Sequence, residues 1–100
     1  MPVYFLQFEG TPQKDHPDSD EIGGAIIDCW LLRSNQEKAK QDALSLIRDD
    51  GWIVDEPDLA FEDDQTNYET DSPQLQYFEQ VLTDREVLVF HTYPIIDGEG

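Results

Sequence analysis

Residues 55 to 71, DEPDLAFEDDQTNYETD, place eight carboxylates in seventeen positions with no Lys, Arg or His among them. Carboxylates at that density can gather a hard cation, face a basic protein, or simply keep a loop in water. A calcium loop alternates its oxygen ligands about a glycine at a sharp turn and closes on a glutamate, so that the backbone wraps one ion. That glycine is missing here, so Asp63, Asp64, Asn67 and Glu69 could form only an irregular site, and no metal is expected. A solvated loop is the usual reading of such a charge run. The functional reading is electrostatic: Glu62, Asp63, Asp64 and Glu69, with Tyr68 as an aromatic anchor, would meet a basic partner.

A second acidic loop, Asp15-His16-Pro17-Asp18-Ser19-Asp20-Glu21, holds one imidazole but no second His or Cys at ligand spacing, and reads as surface. His91 lies in EVLVFHTYP, where it shares strand parity with Val87, Val89 and Tyr93. Acid–base work there would require a carboxylate such as Asp28 within hydrogen-bond reach. Asp28 is the one charge in AIIDCWLL and shares a face with Trp30. His91, Asp28 and Trp30 thus mark the alternative reading, a small-molecule pocket or a small enzyme. Cys29 lacks the cationic surroundings that activate a thiol and reads as a small buried apolar residue. There is no phosphate loop, G-x-S-x-G elbow, HExxH or CxxC. No catalytic residue and no cofactor are therefore assigned, and a non-enzymatic protein is expected.

Twenty-three acids against six bases give a formal charge of −17. Such a field repels phosphate backbones and anionic headgroups, which argues against nucleic-acid or membrane-surface binding and favours a basic protein partner of the inhibitor or immunity type. One hundred residues with 38% apolar content suffice for one hydrophobic core. The expected organisation is a single domain over 1–94 and a flexible tail over 95–100. The start MPVYFLQFEG has no basic stretch and no long apolar run, a lone cysteine forms no intrachain disulfide, and no run approaches the ~20 residues of a membrane span. A cytoplasmic location is the expectation.

The elements that must position these residues follow from pattern. VYFLQF (3–8) and AIIDCWLL (25–32) read as strands, both apolar on each face. Ser34-Asn35-Gln36-Glu37 has the form of a capping box, and Ala39, Ala43, Leu44 and Ile47 recur at helical spacing up to Gly51. Trp52-Ile53-Val54 is a short strand stopped by Pro57, and LAF (59–61) is either a fourth strand or the third continued past a bend. Ser72-Pro73 opens a second helix with Leu75, Phe78, Val81 and Leu82 as its buried stripe, and 86–94 is the last strand.

The order ββαβ(β)αβ predicts an α+β two-layer sandwich. Its four- to five-stranded mixed sheet would carry both helices on one face, as a ferredoxin-like variant. Under that arrangement the other apolar face of the first two strands stays open, and a second copy is expected to cover it as a homodimer.

Overall fold

The computed structural model describes residues 1–17 and 19–95. Its five strands are β1 (Val3–Pro12), β2 (Ile22–Leu32), β3 (Trp52–Ile53), β4 (Leu59–Asp63) and β5 (Glu86–Pro94), with helices α1 (Gln36–Asp49) and α2 (Pro73–Asp84). The fold is α+β, with one sheet and two helices. Among the described residues all four strand pairings are antiparallel, so the sheet is not mixed. β1 pairs β2 on one side and both β3 and β4 on the other, and β5 adds to the free side of β2. β3 meets Thr11 and Pro12 while β4 meets Val3 to Gln7, so the two lie in line along one edge, separated by the bend at 54–58. LAF is thus a strand of its own register that also continues the line of β3.

The helices do not share a face. One cluster gathers Tyr4, Leu6 and Phe8 of β1, Ala25, Ile27, Cys29 and Leu31 of β2, and Ala39, Ala43 and Ile47 of α1. The other gathers residues of opposite parity, Val3 of β1 and Trp30 of β2, with Phe78 and Val81 of α2 and Val87 of β5. The chain is therefore layered helix, sheet, helix rather than in two layers. The physical reason lies in strand direction. β2 and β3 are both antiparallel to β1, hence parallel to each other, and α1 crosses over β1 between them. β4 and β5 lie on opposite edges and run antiparallel, so the handedness rule for parallel crossovers does not constrain α2. The apolar second face does: α2 packs where Trp30 and Val3 need cover. α2 thus covers one end of that face, the end that holds Val3, Trp30 and Val87.

Each large side chain sealed in the interior contributes about 1.5–3 kcal/mol relative to exposure. With Leu6, Phe8, Ile27, Leu31 and Ile47 all fully buried, the α1 side carries the larger share. On that side the sheet curls enough for Trp52, on one edge, to stack on Phe90 of the other at 5.7 Å. Gly10 permits this closeness, since a Cβ there would lie 2.8 Å from the Val54 side chain.

Local signals fare unevenly. Asn35, not Ser34, caps α1, its side chain accepting from the Lys38 N–H at 2.8 Å, so the capping box does not form. Gly51 follows the helix at φ 96°, the left-handed conformation that favours glycine. Ser72 caps α2 with Pro73 behind it. Leu75, Phe78 and Val81 are buried, but Leu82 is 52% exposed, one step outside the stripe that meets the sheet. The tail expected at 95–100 lies, beyond Ile95, outside the described residues.

Candidate interaction surface on the open half of the sheet

α2 covers the end of its face that holds Val3, Trp30 and Val87. Phe5 and Val89 pack partly buried against that cluster, and beyond it cross-strand register places Gln7 and Glu9 of β1, Ile26 and Asp28 of β2, His91 and Tyr93 of β5, and Leu59 and Phe61 of β4 on the same face. Asp28 sits where the helix roof ends, which is how a charge is tolerated in a central strand. Gln7 Nε2 donates to its Oδ1 at 2.9 Å, and His91 Nε2 lies 3.2 Å from its Oδ2. Tyr93 donates its hydroxyl to Glu9 at 2.9 Å, and that carboxylate pushes the tyrosine pKa up. His91 and Asp28 therefore meet, with a half-exposed imidazole on an open surface. Trp30 shares the face but is sealed, with Phe5 edge-on at 5.1 Å and Tyr77 at 5.2 Å. A shallow cleft lies elsewhere, lined by Arg33, Asp42, Ser45, Leu46 and Glu86. Its charges already hold one another: Arg33 is 2.6 Å from both Asp42 and Glu86 and also donates to the Leu32 and Arg85 carbonyls.

The acidic segment divides into inward and outward parts. Asp63 is buried and accepts from Asn67 Nδ2 at 2.8 Å and from the Tyr68 hydroxyl, which in turn accepts from Trp30 Nε1 at 3.1 Å. Burial, then Asp63, pushes the Tyr68 pKa up to about 12. Asp64 caps the short 3-10 turn at 65–67, taking the backbone N–H and hydroxyl of Thr66, which hold its pKa below the usual carboxylate value. Asp63 and Tyr68 thus bond within the protein, whereas Glu62, Asp64 and Glu69 are exposed. Cys29 is buried on the α1 side, where desolvation pushes its thiol pKa well up. Among the described residues no three His, Cys, Asp or Glu side chains gather as a metal site would require, and no buried side-chain nitrogen or oxygen lacks a hydrogen-bond partner.

Sequence reasoning missed the apolar side of this edge. Ile53, Leu59 and Phe61 are 56%, 49% and 41% exposed, and register puts all three on the α2 face of the same edge line. The available signal was Leu59 and Phe61 alternating with Ala60 and Glu62 inside an otherwise acidic stretch. Phe5 supports Phe61 from behind, with ring centroids 5.3 Å apart. From residue 49 to 84 the chain has twelve acids and no Lys, Arg or His. Four of its six bases, Arg33, Lys38, Lys40 and Arg48, lie on α1 or just before it, and Lys40 reaches Glu56 in the bend at 3.1 Å.

Among the described residues no helix is long and apolar enough to cross a membrane. Comparison with known protein families, curated proteins and solved structures yields no match, so the geometry of this surface stands alone as a guide to function.

Proposed function

We propose that this protein is a non-enzymatic binding module for a basic protein, with the open half of the sheet as its contact surface. The observation that supports this most is the coincidence of Ile53, Leu59 and Phe61, exposed together on one edge, with a 36-residue stretch of twelve acids and no base. Exposed aromatic and aliphatic groups supply contact energy, while the surrounding field speeds encounter and selects the sign of the partner. The test is affinity capture from a cell extract with the native protein and the variant Leu59→Ser/Phe61→Ser, at 50 and 500 mM NaCl. A basic protein retained by the native chain at low salt, released at high salt and lost with the variant is the expected result. Identical retention by both proteins would overturn the proposal.

A second reading rests on the His91–Asp28 contact, with Gln7 on the other carboxylate oxygen. An imidazole oriented by a carboxylate is suited to acid–base work or to holding a small polar ligand. Thermal shifts against metabolite pools test it, because a ligand that binds the folded state stabilises by mass action. A flat response from the native protein removes this reading.

A further inference from the structure

We infer that β4 is a docking edge for strand addition, and that its occupant is an extended segment in which apolar residues alternate with Lys or Arg. The inference rests on the reading of this protein as a module for basic partners, and specifies how the partner is held. Among the described residues β4 pairs only with β1, so its outer edge has no strand neighbour and its outward backbone groups have no strand partner. Leu59 and Phe61 point to the α2 face and Ala60 and Glu62 to the α1 face, as their register with Gln7, Phe5, Leu6 and Tyr4 requires.

An added strand places its own side chains beside these in the same alternation. Apolar side chains on one face would rest against Leu59 and Phe61 above Phe5, and basic side chains on the other would meet Glu62, with Asp58 beyond. Charge alone has a plainer explanation, because edge strands commonly carry it to reject unwanted pairing. That accounts for Glu62 but not for three large apolar side chains left exposed on the same edge. It also disfavours a second copy as occupant, since two chains of −17 would oppose carboxylate to carboxylate along the join.

The probe is a fluorescent ten-residue peptide alternating Lys and Val, alongside the same peptide N-methylated at every second residue to block one hydrogen-bonding edge. Binding is read by anisotropy and by backbone amide NMR on the full chain. The expected result is binding weakened about tenfold by 0.5 M salt, perturbed amides centred on 59–63, and at least tenfold loss on methylating the edge-facing residues. Phe61→Lys should abolish it, and because the methylated peptide leaves the protein unaltered, the test survives if that variant misfolds.

Binding that ignores methylation, or shifts centred away from 59–63, overturns strand addition while leaving a basic partner intact. No binding of the peptide overturns strand addition as well, and whether the cell-extract capture also fails then decides the fate of the broader reading. Concentration-dependent self-association that Phe61→Lys removes would make a second copy the occupant and overturn the inference.

Discussion

Replacing Tyr68 by Phe isolates one oxygen at the margin of the second core. That oxygen accepts from Trp30 Nε1 and donates to Asp63, and the ring itself packs against Phe78 with centroids 6.1 Å apart. Phenylalanine keeps the ring and removes the bridge. The Trp30 donor then loses its acceptor beside a side chain only 1% exposed, while Asp63 keeps Asn67 as its remaining donor. An orphaned buried polar group costs about 1–3 kcal/mol, and Asp63 belongs at the low end because one donor survives, so the variant should lose about 2–3 kcal/mol. For a domain of this size, with a urea m-value of about 1.5 kcal/mol/M, the midpoint should fall by about 1.3–2 M.

Urea titrations followed in parallel by tryptophan fluorescence and far-UV circular dichroism measure this. The Tyr68→Phe/Asp63→Asn double variant should cost less than the sum of the singles, because each breaks the same bond. There is also a pH signature. Tyr68 has a folded pKa raised to about 12, so its contribution is whole below its unfolded value near 10 and is lost as pH rises through the folded value. The variant should show a shallower loss of stability above pH 10. A midpoint within about 0.3 M of the native protein would refute the reasoning, since that is well under 1 kcal/mol.

Arg33→Met should cost about 2–4 kcal/mol, below the fully buried limit because Asp42 and Glu86 are 26% and 37% exposed, and Arg33→Lys should recover only part of it for want of the planar fork; thermal melts decide both. Hydrogen bonding from Arg33 holds the Asp42 pKa below its usual value, so its contribution is present above about pH 4 and is lost as pH falls through the folded value. In Asp42→Asn, acid titration of stability should therefore be flatter below pH 4. Gly51→Ala should cost about 1–2 kcal/mol in urea titrations, because φ is 96° and the added Cβ would lie 2.9 Å from the His16 ring. Raising NaCl from 10 to 500 mM should raise the urea midpoint, since at 10 mM the screening length of about 30 Å exceeds the 14.5 Å radius of gyration and the −17 charge repels itself; an unchanged midpoint would mean the acids are spaced widely enough not to interact.

By itself the sequence determined the kind and order of the main elements, because periodicity and capping are local, but not whether LAF is a strand of its own. Ser72-Pro73 starts α2, Gly51 ends α1 and EVLVFHTYP is a strand wherever those segments lie. It also determined the sign of the surface and the two-sided apolarity of β1 and β2. What it could not carry was the cover for the second face. The parity of Trp30 and Val87 shows that they need burial but not what buries them; the antiparallel return from β4 to β5 leaves α2 free to take either face, and its packing through Phe78 and Val81 on Val3, Trp30 and Val87 decides which.

The same holds for the site. The meeting of His91 with Asp28 depends on β5 lying beside β2, at a sequence separation of 63 residues. Likewise the carboxylates at 62–69 look alike in sequence, and it is the burial of Asp63 under Tyr68, against the exposure of Glu62 on a free edge, that separates a structural acid from one able to meet a partner. The Asp63–Tyr68 bond is itself local, but the Trp30 that holds Tyr68 in place and the β1 strand that seats β4 are distant in sequence, and no local pattern names them.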